Sequence, residues 1–449
     1  MLRFFALLAL LPPLAVASGC RCAGASPSPL PAASVPVAAA PSALRSVLPA
    51  ASSVLPFRPL APPWSAARIP GGWVAAGTTR GGSGIVVVRG NEAGVQEDLV
   101  LPGSTEMGRL ASLDLMTSKG GFAIHAEDRD GRGLLWRGAS WERLRTAVPE
   151  PHTASLCALE DRLLGVVSGE VPRLRAWSFV GGEPATVVDL KESGATSLYC
   201  GTTRAYLLVE NGKSRSLFAI DREGFRGPTH LDGQDEERGL TFATEEDTLW
   251  IGKLDFSGHP TLRRWPATSA APEPWILLEE RIEEGSSLDL MVIRSGTAPL
   301  AALVIEHHSD GADCKNGENF HTVAELLVFD LTKRSPIRSK MRLDSWLCGA
   351  EAGPFGGGAS DRGIVVTWLQ GVGSSCAKQG ARYGGLAFLE VPLEGAVRSG
   401  KVEIPSLALL DLGCEGGSCG AVALPRGEGG ECWASGDVRG DVPRWLSYP

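Results

Sequence analysis

The chain has 449 residues, 43% of them hydrophobic and 21% charged, with a formal net charge of −8. Hydrophobicity this high at moderate charge excludes a wholly disordered protein, and the absence of any run of Lys or Arg excludes nucleic acid as the main partner, because phosphate neutralisation needs clustered positive charge. Glycine, at 56 residues in 449, stands well above its usual share of about 7% and predicts many tight turns between short strands.

The amino terminus is built for export. Met1 to Arg3 form a short basic start, followed by an apolar stretch from Phe4 to Val16 that Pro12 and Pro13 interrupt. That stretch falls short of the roughly twenty apolar residues a bilayer core requires, so residues 1–19 read as a signal peptide and not as an anchor helix. Ala17-Ser18-Gly19-Cys20 resembles the lipobox of bacterial lipoproteins, with Ala17 where Leu is usual. The resemblance implies that Cys20 becomes the lipid-modified first residue of the mature chain, held at the outer membrane or elsewhere in the cell envelope. Ala15-Val16-Ala17 also satisfies the small-x-small rule for ordinary cleavage before Ser18, which would leave a secreted or periplasmic protein.

Residues 20–63 read as a tether. From Ala23 to Pro63 the chain is mostly Ala, Pro, Ser, Val and Leu with ten prolines, and Arg45 and Arg58 are its only charges. Such a segment buries too little to offset its ordering entropy and behaves as an extended, disordered spacer. No acidic residue precedes Glu92, so acidity begins with the folded region, residues 64–449.

That region repeats. An apolar strand with one aromatic, closed by a Gly- or Pro-containing turn, recurs as GIVVVRGNEAG, GLLWRGASW, RLRAWSFVGGEP, SLFAIDREGF, TLRRWPATSAAPEP, ELLVFDLTKRSP and GLAFLEVPLEG, with ECWASGDVRG as a degenerate last copy. Each is flanked by shorter strands such as WVAAGTT before and EDLVLPG, ERLRTAV or ATVVDL after. Four short strands per unit, joined by turns such as Asp130-Gly131 and Asn211-Gly212, predict an all-β fold with a single β-propeller. Units begin near Trp64, Leu110, Ser155, Ser197, Leu240, Ser287, Cys348 and Leu407, which predicts eight four-stranded blades, or seven if the first and last share a sheet. Regularly spaced strands also suit a two-layer sandwich.

Ten cysteines in an exported chain read as disulfides. Cys157 and Cys200 occupy the same place in consecutive units and should pair. Cys314 and Cys376 lie in the long connections between second and third strands of units six and seven, where a bridge would contribute about 3–5 kcal/mol in the chain-entropy model. Of the remainder, Cys348 with Cys414 and Cys419 with Cys432 are the favoured pairs. The cysteines do not suggest zinc, since no Cys-x2-Cys occurs.

The densest polar cluster runs from Glu306 to His321 and offers His307, Asp310, Asp313 and His321 as metal ligands, although its spacing fits no metal motif. Gly416-Gly417-Ser418-Cys419-Gly420 has the pattern of a hydrolase nucleophile elbow, but that family order places a histidine downstream and the last histidine is His321. Glu127-Asp128-Arg129-Asp130-Gly131 reads as a charged hairpin turn, and Trp136, Trp177, Trp265 and Trp368 read as packing between blades. The sequence points to no catalytic residue and no cofactor. The functional expectation is a monomeric binding or scaffold propeller for a protein or glycan, touching the membrane only through lipid. The alternative is a glycan-active hydrolase or lyase with carboxylates converging at the propeller mouth.

Overall fold

Second strands of the repeats carry uninterrupted apolar runs, as in Trp73-Val74-Ala75-Ala76, Leu163-Leu164-Gly165-Val166 and Tyr206-Leu207-Leu208-Val209, and these residues are buried. A strand without alternation has to be covered on both faces of its sheet. A computed structural model shows how this is met. It describes residues 60–447 apart from connecting segments, of which the longest are 278–286, 311–319, 371–384 and 426–443.

The described strands form seven antiparallel sheets of four strands and one of three, each laid out in chain order. We number the sheets 1 to 8 along the chain. Their first strands are Ala61–Ile69, Leu110–Ser118, Thr153–Ala158, Ala195–Cys200, Glu237–Glu245, Ser287–Ser295, Phe355–Ala359 and Leu407–Glu415. Each first strand touches that of the next sheet, and the first strand of sheet 8 touches that of sheet 1. The sheets therefore stand around an axis lined by first strands, and the fold is all-β and a single β-propeller. Two 3-10 turns, Ser104–Glu106 and Trp141–Arg143, are the helical elements among the described residues, and no helix there is long and apolar enough to cross a membrane.

The core lies between sheets. Val74, Ala76 and Val87 of sheet 1 pack on Leu113, Ile124 and Trp136 of sheet 2, whose other face sets Ala123 and Leu135 against Leu163 and Trp177 of sheet 3. The pattern continues through Leu164 and Leu207 between sheets 3 and 4, Leu208 and Trp265 between sheets 4 and 5, and Val304 and Trp368 between sheets 6 and 7. Val422 of sheet 8 meets Trp73, Val86 and Val88 of sheet 1 and closes the ring. The tryptophans predicted to pack between blades do so: Trp136, Trp177, Trp265 and Trp368 are all buried. Trp73 lies over Gly90, its partner on the neighbouring strand, where a Cβ would come within 2.2 Å of the indole.

First strands carry a second link. Leu115 N–H donates to Ser65 Oγ at 3.1 Å, Leu198 N–H to Ser155 Oγ at 3.0 Å, and Thr244 Oγ1 to Cys200 O at 2.8 Å. These bonds satisfy groups that an inner edge strand would otherwise leave unpaired. Cys157 and Cys200 are joined by a disulfide with their Cα atoms 5.8 Å apart, as the repeat alignment predicts.

Three expectations change. The first strand starts at Ala61, so Ala61–Pro63 leave the stretch that composition assigned to the tether. ERLRTAV does not hold a strand throughout: its first residues lie in the Trp141–Arg143 turn and the fourth strand of sheet 2 is Val148–Glu150. Unit seven begins at Phe355 and not near Cys348, since FGGGA pairs with Ile364–Trp368 through backbone alone. The degenerate copy around Cys432 lies outside the described residues.

Trp73→Ala is expected to cost about 3–5 kcal/mol by opening a cavity at the closing interface, while Val180→Ala, at a side chain 62% exposed, should stay within about 0.5 kcal/mol. Denaturant midpoints compare the two.

Candidate functional site

First strands all run the same way along the axis, so the ring has a starting end and a finishing end. At the starting end lie the turns between second and third strands. At the finishing end lie the turns between first and second strands.

Between sheets 4 and 5 a cleft of about 360 Å³ opens. Ser197 and Tyr199 come from the first strand of sheet 4, Leu208 and Glu210 from its second strand, Arg215 from its third, and Leu240, Thr241 and Phe242 from the first strand of sheet 5. Strand alternation places Leu208 and Glu210 on the face toward sheet 5, because Leu207 and Val209 are spent on sheet 3. The rings of Tyr199 and Phe242 stack with centroids 4.8 Å apart. Glu210 accepts a hydrogen bond from Arg215 Nε at 2.7 Å, across the Asn211–Ser214 turn, which sets the charged pair at the starting end. Burial, only partly offset by a hydrogen bond with the Ser197 side chain, raises the Tyr199 phenol above its ordinary value, and Glu210 pushes the same way. The phenol is thus neutral at physiological pH.

At the finishing end the same two sheets are latched. Asp247 accepts hydrogen bonds from Thr203 N–H at 2.6 Å, Thr203 Oγ1 at 2.7 Å and Arg204 N–H at 2.9 Å. Thr202 N–H donates to Glu246 O at 3.0 Å, and its own carbonyl accepts from Glu160 N–H of sheet 3 at 2.7 Å. The close approach requires Gly201, where a Cβ would stand 1.8 Å from Glu246 O. Tyr206 Oη lies 2.7 Å from Asp247 O and 2.9 Å from Trp265 O. Burial would raise the Asp247 carboxyl, yet the bonds from Thr203, Arg204 and Thr202 outweigh it and hold the group below its ordinary value. Burial pushes the Tyr206 phenol up to about 12.

The candidate metal ligands His307, Asp310 and His321 lie on the hairpin of the second and third strands of sheet 6. Cross-strand register pairs His307 with Val323, Ser309 with His321, and Asp310 with Phe320. Asp313 lies outside the described residues, as do Cys314, Cys376, Cys348 and Cys432. Among the described residues no group of three or more His, Cys, Asp or Glu side chains is placed to hold a metal ion. Asp128, read as part of a charged turn, accepts backbone hydrogen bonds from Gly108, Asp130 and Arg132 at 3.1, 3.0 and 2.9 Å. It closes the hairpin between the second and third strands of sheet 2. Sequence reasoning missed the cleft residues. Their one legible signal is the alternation of Ser197 with Tyr199 and of Leu208 with Glu210.

No family model matches the chain, and no curated protein matches it. Among solved structures the similarities are distant. It is similar to prolyl oligopeptidase B from Galerina marginata at 11% identity and a TM-score of 0.46, covering 81% of this chain and 56% of that one. A lectin from Aleuria aurantia in complex with alpha-methyl-L-fucoside matches at 10% identity and a TM-score of 0.35, over 77% and 97% of the two chains. The WD40 domain of SCAP from fission yeast matches at 9% identity and a TM-score of 0.41, over 76% and 87%. The chain thus spans little more than half of the peptidase's length.

Two pH limbs follow from the latch. Asp247 has a lowered carboxyl in the folded state, so its contribution is present above the unfolded value near 4 and is lost as pH falls through the folded one. Tyr206 has a raised phenol, so the unfolded chain releases its proton first and stability falls between about pH 10 and 12. Thermal melts across pH should show a shallower acid limb in Asp247→Asn and a shallower alkaline limb in Tyr206→Phe.

Proposed function

We propose that the protein is an exported, lipid-anchored propeller of eight blades, one per sheet, that binds a glycan in the cleft between sheets 4 and 5. The observation that carries this reading is the composition of the cleft. A sugar ring presents apolar C–H surface bordered by hydroxyl groups. Tyr199, Phe242, Leu208 and Leu240 supply apolar wall, while Ser197, Thr241, Glu210 and Arg215 supply acceptors and donors around it. A volume of about 360 Å³ falls within the range of roughly 300–1,000 Å³ typical of small-ligand sites, so one or two sugar units at the end of a chain suit it. Among the described residues Glu210 is the one carboxylate in the lining. Two-carboxylate glycoside chemistry needs a second at the scissile bond, and binding without hydrolysis is the reading that this lining favours.

Export and anchoring rest on the leader and on Cys20, followed by a proline-rich tether that would carry the ring away from the membrane surface. The bridge between Cys314 and Cys376 belongs to the same reading of an oxidising compartment. A protein held this way in the envelope is placed to hold a glycan without consuming it.

The test is a panel of neutral oligosaccharides presented to the purified mature chain. For any sugar retained, Glu210→Gln and Arg215→Met should each weaken binding about ten- to a hundredfold, the equivalent of losing a charge-assisted hydrogen bond, with the melting temperature little changed. No binder on the panel, or variants that bind like the parent, would overturn the reading. Intact mass of the mature chain checks the anchor: the expected species starts at Cys20 and carries acyl chains, whereas an unmodified chain starting at Ser18 would overturn it.

A further inference from the structure

The first two strands of sheet 8, Leu407–Glu415 and Ser418–Pro425, pair in a register that sets Glu415 opposite Ser418, Cys414 opposite Cys419 and Gly413 opposite Gly420. Only residues 416 and 417 separate the closing pair. Hydrogen-bonded and non-hydrogen-bonded pairs alternate along an antiparallel ladder, and the closing pair of a two-residue hairpin is of the hydrogen-bonded kind. Cys414 and Cys419 therefore fall at a non-hydrogen-bonded pair, where Cα atoms stand about 4.5 Å apart. That spacing lies within the range of roughly 4.4–6.8 Å that a disulfide spans, as does the 5.8 Å between Cys157 and Cys200.

We propose that Cys414 and Cys419 form a cross-strand disulfide, which takes the place of the expected Cys348–Cys414 and Cys419–Cys432 bridges. The direction of the strands supports the exchange. Cys348 follows Trp346, the last residue of the fourth strand of sheet 6, by two positions. That strand ends at the starting end of the ring, since Trp346 pairs with Thr322 near the beginning of the third strand. Cys414 sits seven residues into its own first strand and so near the finishing end, about 23 Å along the axis at roughly 3.3 Å per residue. Two residues of chain reach no more than about 7 Å. Cys419 needs no such reach.

The pair oxidises by exchange with a small disulfide such as oxidised glutathione. The Sγ–Sγ bond forms as the glutathione S–S bond breaks, the two electrons pass to the glutathione sulfurs, and the two cysteine protons end on the two glutathione thiols that leave. The bond fixes the hairpin that joins the ring's last sheet to its neighbours, whose first strands in sheets 7 and 1 flank that of sheet 8. Because the loop it closes is short, it constrains the unfolded chain less than the Cys157–Cys200 bridge, whose cysteines lie 43 residues apart. Its loss is a local event.

The full chain, reduced and then equilibrated with oxidised glutathione, is alkylated and digested with a protease that cuts after Glu415. The expected product is a pair of peptides joined through Cys414 and Cys419. A link from Cys414 to Cys348 or from Cys419 to Cys432, or alkylation of both as free thiols, overturns the proposal. Cys414→Ser supplies an independent reading: Cys419 should become the newly alkylated thiol, and the appearance of Cys348 instead overturns the pairing. Removing both cysteines of the hairpin should lower the melting temperature less than removing Cys157 and Cys200 together, and the reverse order would refute the local role.

Discussion

Everything in this molecule follows from sheets that are apolar on both faces. Trp73 and Val74, adjacent on one strand, are both buried, one against sheet 8 and the other against sheet 2. A single four-stranded sheet cannot shield two such faces, and a stack of sheets leaves one face bare at each end. The deficit disappears when the last sheet returns to the first. Val422 against Trp73, Val86 and Val88 is that return, and its burial adds to the core term of roughly 1.5–3 kcal/mol that each large enclosed apolar side chain supplies. The packing alone demands a ring but leaves angular position loose, because apolar contact is non-directional.

Direction comes from the polar links near the axis. Ser65 and Ser155 accept N–H groups of the neighbouring first strand, and the turns at the finishing end pass hydrogen bonds from Glu160 to Thr202 and from Thr202 to Glu246. Asp247 concentrates three such bonds in one carboxylate, and the Cys157–Cys200 bridge lies at the same end. The finishing end is therefore where sheet is fixed against sheet. At the starting end, sheets 4 and 5 part around Ser197, Glu210 and Arg215. A cleft can be tolerated there because the same two sheets are held at the other end of their shared interface.

The repeat was legible in the sequence because burial on both faces writes uninterrupted apolar runs such as Leu163 to Val167, and because turns such as Asn211-Gly212 punctuate them. The Cys157–Cys200 bridge was legible for the same reason: equal positions in consecutive repeats become neighbours in space. What escaped was whatever depends on backbone pairing. Phe355–Ala359 carries three glycines and no pattern, and it is a strand because Val365 and Val366 lie beside it. The cleft was hidden because its residues come from four strands in two repeats.

This separation of roles bears on how such a ring can change its ligand. The links that fix the sheets use backbone groups, small hydroxyl side chains, the Asp247 carboxylate and the Cys157–Cys200 bridge, whereas the cleft exposes side chains whose backbone is already committed to the ladder: Glu210 pairs with Ala195 and Arg215, and Tyr199 pairs with Tyr206. Replacing Glu210 or Arg215 leaves those ladder bonds in place, and the ion pair it removes is partly exposed, with side chains 35% and 21% accessible. Such a pair adds little to stability. The repeated core thus sets the shape of the cleft, while the chemistry of its lining varies independently of the interactions that close the ring.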